Sequence, residues 1–340
     1  MTTTVSDAPE LRPLTLRGVA FDPPLFCAPM AGITHSAFRR LLGDFGGYGA
    51  LFTEMLSARM ILHENIRESP SLKRRPQEGR VVYQLMAADA ARLPEILDRL
   101  APLRPDGLDL NSACSASNVR RQQSGDVLFD QPDRLREVVR VMRGHFAGPL
   151  TVKIRLGRRA PEWRSALRDR LRLLEDEGVD ALTIHARFAG ESLNRQARPA
   201  LYAELAADTR LPIIANGDIT GADSVSARPA QFAPAAALMI GRMAAACPWV
   251  FARWHKPDLA MNPVEVWNRL CGYIAEDFPA PQAAIRIKII APYLARNFVF
   301  GHTLFTAVQS APDLDAIRER AARFLGASPE VFDRVRLDGL

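Results

Sequence analysis

Between Leu25 and Arg242 one arrangement recurs eight times: a short apolar run, a polar or special residue at its C-terminal end, and usually a helical pattern after it. The runs are Leu25–Met30, Leu51–Met55, Arg80–Met86, the stretch from Gly107 to Asn111, Leu150–Leu156, Ala181–Arg187, Leu211–Asp218 and Ala236–Arg242. Several are almost wholly apolar, as strands buried on both faces are. Such strands, alternating with helices, close into a parallel (β/α)8 TIM barrel with the helices outside. The run ends carry Pro29-Met30, Glu54, Gln84, Asn111, Lys153, His185, Asn216-Gly217 and Gly241-Arg242. In a barrel those ends converge on one mouth, so the pattern predicts where the chemistry lies before it predicts what the chemistry is.

The connecting helices follow from apolar spacing and from capping residues. Thr34 is expected to cap a helix through Phe38, Leu41 and Leu42. Asp89 is expected to cap one running to about Leu100, with Pro94 disturbing its first turns. Pro132–Met142, Trp163–Glu177 and Leu201–Ala207 read as further helices, and another starts near Pro248. Ser57 to Gly79 reads as an insertion overhanging one face, with the basic knot Lys73-Arg74-Arg75; a solvated loop is the alternative. Residues 1–22, punctuated by prolines, read as an irregular leader, and 23–258 as the barrel. Residues 259–340 show only helical patterns, at Val264–Phe278, Ala283–Phe298, His302–Ser310 and Leu314–Leu325, which predict a small bundle. In its second helix Ile285, Ile289 and Tyr293 form one stripe and Ile290, Leu294 and Phe298 another, both assigned to core; Pro292 should kink or end the helix.

A chain of 340 residues can bury one barrel-sized domain and a smaller appended one. The net charge of +6 favours a polyanionic partner. Cys27, Cys114, Cys247 and Cys271 are scattered, which suits neither a zinc motif nor a disulfide framework and points to a reducing cytoplasm. Met1 to Leu14 lacks the basic and apolar regions of a secretory leader, and no apolar run is long enough to span a bilayer. The expectation is a cytoplasmic monomer without metal or membrane contact.

At the mouth, Gly241-Arg242 after the last strand is chemically legible: glycine admits close approach of a backbone N–H, and arginine forks onto phosphate oxygens. Asn216-Gly217-Asp218 at the preceding strand end completes a phosphate cup. Lys153 and His185 can neutralise the anionic end of a reduced ring, and Gln84 offers an amide to ring carbonyl and nitrogen edges. Together these residues describe a flat, phosphate-bearing cofactor lying across the mouth. Cys114, just past the fourth strand, is a candidate nucleophile or proton donor, and Asn111 can orient it or a substrate.

From about Leu25 to Leu325 the chain resembles the tRNA-dihydrouridine synthases, flavin enzymes with an FMN-binding barrel and a C-terminal helical domain. The matching landmarks are Ala28-Pro29-Met30-Ala31-Gly32, Val82-Tyr83-Gln84-Leu85, Asp109-Leu110-Asn111 with Cys114, Val152-Lys153-Ile154-Arg155, Ile184-His185-Ala186-Arg187, Ile214-Ala215-Asn216-Gly217-Asp218 and Met239-Ile240-Gly241-Arg242. The resemblance implies that Pro29, Met30, Ala31, Gln84, Lys153, His185, Asn216, Gly217, Asp218, Gly241 and Arg242 hold FMN. It implies NADPH as reductant, hydride delivery from the flavin to uracil C6, and protonation of C5 by Cys114. The uridine must leave its stack to be reached. Asn111 and Arg187 are then candidate substrate ligands. Arg120, Arg121, Arg286, Lys288 and Arg296, with the Lys73 knot, are candidate contacts to tRNA phosphates. Arg286-Ile287-Lys288 is most similar to the bacterial subgroup acting at D-loop position 16. Ser115 stands where the family usually has proline after the cysteine, Phe188 where it has threonine, and Gly125 is what remains of a glycine-rich run. An FMN-dependent ene-reductase of a small molecule or another RNA is the alternative reading.

Overall fold

The structure, a computed structural model, describes residues 11–337. Its strands are β1 (Leu14–Leu16), β2 (Val19–Phe21), β3 (Leu25–Cys27), β4 (Ala50–Phe52), β5 (Leu56–Ser57), β6 (Val81–Met86), β7 (Gly107–Ser112), β8 (Leu150–Arg155), β9 (Ala181–His185), β10 (Ile213–Asn216) and β11 (Ala237–Ile240). From β3 onward every pairing is parallel, in the order β4-β3-β11-β10-β9-β8-β7-β6, and β4 pairs with β6 to close the ring; β5 adds only a short pairing to β6. The strand register therefore realises the eightfold pattern as a closed barrel.

Side chains alternate faces along a strand, and the packing divides accordingly. Phe26, Ala28, Ala50, Phe52, Val82, Ala181, Ile214, Ala237 and Met239 form one buried cluster. Their sequence neighbours, among them Leu25, Cys27, Leu51, Val81, Leu182, Ile213 and Leu238, belong to the cluster that includes the helices. The first set lines the lumen and the second faces the helical ring. Leu14, Leu16 and Phe21 join the lumen cluster. The residues read as an irregular leader thus include, from Leu14 to Phe21, an antiparallel hairpin packed against the N-terminal end of the barrel. Arg17 and Gly18 turn it with φ of 46° and 77°, the left-handed pair a two-residue hairpin turn requires. Residues 1–10 of the leader lie outside the described residues.

Several local expectations are corrected. His35, not Thr34, caps the first helix (Ser36–Phe45), its side chain accepting the Phe38 N–H, while Thr34 closes the turn back to Met30. Pro94 does not disturb the Leu93–Leu100 helix, because it falls in the first turn, where no N–H is needed; Arg92 rather than Asp89 occupies the cap position. The helix after β11 starts at Arg242, with a second at Val250–His255. The 57–79 insertion is anchored rather than solvated. The Arg39 guanidinium and Glu78 carboxylate pair at 2.7 Å with neither side chain exposed. Lys73 and Arg75 both pair with Asp277 of the helical segment, and Arg74 pairs with Asp106.

The helices after the barrel are Pro263–Asp277, Ala280–Leu294, Gly301–Gln309 and Leu314–Gly326. In the second, Ala283, Ala284, Ile287, Ile290, Ala291 and Leu294 are buried, and with Phe298 just past its end the Ile290, Leu294, Phe298 stripe lies in the core. Of the other stripe, Ile289 and Tyr293 pack half-buried against the core, whereas Ile285 is 57% exposed. Pro292 lies two residues before that helix gives way to a short 3-10 turn, Ala295–Asn297.

If the hairpin seals the lumen, Phe21→Ala opens a void against Phe26, whose ring it meets edge-on at 5.5 Å. The expected loss is about 3–5 kcal/mol in urea unfolding. A loss under about 0.5 kcal/mol, as for a surface site, would show that the hairpin is not part of the core.

Candidate active site

Above the apolar part of the lumen lies a polar layer: Gln84, Asp109, Asn111, Thr151, Lys153, Thr183 and Asn216 are all buried. Buried polar groups must find partners, and here they find one another, except Thr183 Oγ1, which has none among the described residues. Thr151 Oγ1 donates to Asp109 Oδ1. Gln84 Nε2 donates to Asp109 Oδ2 at 2.7 Å, and Asn111 Nδ2 donates to Gln84 Oε1 at 2.9 Å. Asn111 Oδ1 then accepts the backbone N–H groups of Ala113 and Cys114 at 3.2 and 3.0 Å. A carboxylate accepts only, so Asp109 sets the orientation of both amides and presents an acceptor to the turn carrying Cys114. Cys114 is half-buried. On its other side the Asp126 N–H donates to the Cys114 carbonyl at 3.1 Å. Gly125 permits this approach: its φ is +65°, and a Cβ there would meet that carbonyl oxygen at 2.3 Å.

Reading strand ends passes over Asp109 and Thr151, which sit one layer below the mouth. Counting back two residues from Asn111 and from Lys153 finds both. Burial raises the Asp109 carboxyl to about 6, against the hydrogen bonds from Thr151 and Gln84 and the charge of Lys153. Lys153 donates to Asn216 Oδ1 at 3.0 Å. Burial, then the charge of Arg155, lowers its ammonium to about 8, with Asp109 and Cys114 opposing. His185 is held neutral, its pKa lowered well below the usual value by burial and by Lys153, Arg155, Arg187 and Arg242.

Beside this layer lies a cavity of about 900 Å³. Ala28, Pro29 and Met30 line one part of it, with Lys153, His185, Asn216, Gly217, Asp218, Gly241 and Arg242. Ala31 is exposed and Gln84 wholly buried, and neither lines it. At Gly217 φ is +119°, and a Cβ would lie 2.8 Å from the His185 ring, so this wall admits no side chain. A glycine-lined wall beside guanidinium and ammonium groups fits a flat cofactor with a phosphate end. Asp218, read as part of the phosphate cup, contributes indirectly. Its carboxylate accepts from Arg187 at 2.7 Å, from Arg242 at 2.9 Å and from the Ala197 N–H at 2.7 Å, so it holds the cations in place.

The proposed RNA and substrate residues separate into groups. Arg187 is buried in the cavity wall, bonded to His185 Nε2, to the Leu193 and Arg195 carbonyls and to Asp218. Arg120 forks onto Asp126, and Lys288 donates to the Ala311 carbonyl at 2.6 Å. Arg121 is exposed, and Arg296 is half-buried with a 3.4 Å bond to the Arg336 carbonyl. Arg286 reaches the mouth, 4.0 Å from Glu54 and 5.3 Å over the Phe278 ring. Glu54 Oε2 accepts the Gly32 N–H at 2.7 Å, while its Oε1 is buried with no partner among the described residues.

Fold and site define a parallel-barrel protein whose mouth joins a held thiol to a basic, glycine-lined cavity. Among solved structures, the old yellow enzyme homologue from Zymomonas mobilis matches with a TM-score of 0.54 at 12% identity, covering 76% of this chain and 95% of that one. Morphinone reductase matches with a TM-score of 0.54 at 14% identity, covering 77% and 93%. At such identities these matches speak for the barrel alone. The dihydrouridine synthase family model matches residues 26–277. tRNA-dihydrouridine synthase B of Escherichia coli (strain K12) is 32% identical over 303 residues, 85% of this chain and 92% of that one. Its namesake from Pectobacterium carotovorum is 33% identical over 309 residues, covering 86% and 94%. The chain belongs to the dihydrouridine synthase family.

The buried carboxyl of Asp109 makes a pH prediction. Its folded pKa, about 6, stands above the ordinary 3.8. Its contribution to stability is therefore full below pH 4 and is lost as pH rises through 6. Asp109→Asn cannot ionise, so it should remove a fall on the order of 3 kcal/mol across that window in urea unfolding. Parallel pH profiles for the two proteins would show that Asp109 does not titrate there.

Proposed function

We propose that this protein is a flavin-dependent tRNA-dihydrouridine synthase that reduces the C5–C6 double bond of a uridine, with FMN in the cavity and NADPH as reductant. The observation that carries the reading is the Cys114 turn, held by Asn111 from one side and by the Gly125–Asp126 backbone from the other, beside a Lys153-lined cavity of cofactor size. Saturating a conjugated double bond takes a hydride on one carbon and a proton on its neighbour. A bound flavin would supply the hydride. Cys114 donates the proton to C5, and the Asn111 contact fixes where its thiol sits.

Lys153, Asn216, Gly217, Gly241 and Arg242 hold the cofactor, with His185 as a neutral wall. Lys153, its ammonium lowered to about 8 by burial and by Arg155, stays largely charged at neutral pH and would offer a cation to the anionic end of a reduced ring. Pro29 and Met30 line the cavity beside Gly241. Gln84 keeps one N–H beyond its two network bonds and stands behind the site rather than in its lining. The net charge of +6 suits tRNA, with Arg121 and Arg286 the residues best placed to meet it. No helix among the described residues is long and apolar enough to cross a membrane, and no cluster of metal-ligand side chains occurs among them.

Two outcomes are expected. Cys114→Ala should keep flavin reduction by NADPH within about twofold while dihydrouridine formation in tRNA falls roughly 10²–10⁴-fold, the usual contribution of a positioned acid. Cys114→Ser should restore little, since a hydroxyl is a far weaker acid. Stopped-flow flavin absorbance and nucleoside mass spectrometry separate the two half-reactions, and a parental rate of dihydrouridine formation in Cys114→Ala would refute the assignment. Arg121→Glu should weaken tRNA binding and flatten its salt dependence by about 0.7–0.9 in log–log slope, with FMN affinity unchanged. An unaltered slope would remove Arg121 from the interface.

A further inference from the structure

Past the Leu314–Gly326 helix the chain turns back towards the barrel. Val331 bridges Phe298, the Val299 N–H donates to the Glu330 carbonyl, and the Phe332 N–H donates to the Asn297 carbonyl, both at 2.8 Å. Beyond these anchors the residues alternate. Val335 and Leu337 are half-buried against the core, whereas Arg334 and Arg336 are exposed. All four line the cavity that contains Asn216, Gly217, Gly241 and Arg242. The Arg334 guanidinium lies 3.7 Å from Asp223, on the short helix that follows β10. The segment therefore runs as a strap from the helical bundle to the phosphate side of the mouth.

Charge gives the strap a role. Arg187, Arg242 and Asp218 together bring one net positive charge to the cup. A phosphate monoester carries about −1.5 to −2 at neutral pH. Lys153, Arg195 and Arg228 also line the cavity, and Arg334 and Arg336 add two guanidinium groups from a part of the chain remote from the barrel strands. Cys114 and its neighbours do not line this cavity, so the phosphate it serves is that of a bound cofactor rather than of a polymer entering beside the thiol.

We propose that the Val331–Leu337 strap is part of the cofactor site, with Arg334 and Arg336 closing on the phosphate end and retaining it. This rests on the flavin reading. The full-length Arg334→Glu/Arg336→Glu variant and its parent should be titrated with FMN and with riboflavin, which lacks the phosphate, following flavin fluorescence. The FMN dissociation constant should rise at least tenfold and its dissociation rate should increase, while the riboflavin constant stays within twofold. Arg334→Gln/Arg336→Gln should fall between parent and reversal.

Unchanged FMN affinity overturns the proposal. Equal weakening of both flavins would make the strap a packing element, and tighter FMN binding would make it a competitor for the site. Unchanged FMN with weakened tRNA binding would assign the arginines to RNA. A parent that binds neither flavin refutes the flavin reading itself, and the strap's role with it.

Discussion

A polar layer inside a closed barrel is cut off from bulk water except where Lys153 and Asn216 reach the cavity, so its inner groups must be partnered from within. That constraint organises the site. Asp109 receives Thr151 from one side and Gln84 from the other, and it has no hydrogen to offer in return while ionised. The Gln84 amide is thereby turned, Asn111 is turned by Gln84, and the Cys114 backbone meets an oxygen rather than an amide hydrogen. A reversed amide anywhere in the series would set two donors or two acceptors face to face. Below the layer, the lumen needs no such matching, because the hairpin from Leu14 to Phe21 and the inward side chains fill it with carbon.

The loop bearing Cys114 departs from the family pattern, and its packing shows how the departure is accommodated. A proline after the cysteine would restrict the turn through its ring. Ser115 restrains it differently, its hydroxyl accepting the Gly190 N–H at 3.0 Å and tying the turn to the loop after β9. Gly125, alone of the glycine-rich run, is the position where a side chain would collide with the Cys114 carbonyl. Arg120 forks onto Asp126 and so fixes the helix start under the same carbonyl. Phe188 packs edge-on against Trp163, with its ring centre 5.2 Å away, instead of offering a hydroxyl. The changes thus exchange one set of turn restraints for another and leave Asn111 and Cys114 in contact.

Legibility from sequence followed the range of the interaction. Strand ends and alternating burial are local, and they were enough to place Lys153, His185, Asn216 and Arg242 at one mouth. The fate of charges was not legible, because the partner is distant in the chain. Lys73 and Arg75 look like a free basic knot until Asp277, some 200 residues on, lies beside them. Arg187 looks available to substrate until Asp218 and the Arg195 carbonyl enclose it. Helix starts failed for a subtler reason: Thr34 and His35 are both able to cap, and only the turn at Met30 decides between them.

The ion cluster around Asp277 also changes what the helical segment is. Burial works to raise that carboxyl, but hydrogen bonds from Lys73, Ser36 and Arg75 more than offset it and hold it below the usual carboxylate range. Lys73 and Arg75 belong to the 57–79 insertion, Ser36 to the first barrel helix, and Asp277 to the end of the first bundle helix. The cluster therefore joins three parts of the chain at one point. Phe278, the next residue, carries the Arg286 guanidinium on its ring, and Arg286 in turn stands 4.0 Å from Glu54. Displacing the bundle would break the Asp277 contacts and withdraw Arg286 from the mouth together. The bundle is thus a wall of the site, and the orphaned Glu54 oxygen beside Arg286 marks where that wall and the barrel face whatever enters between them.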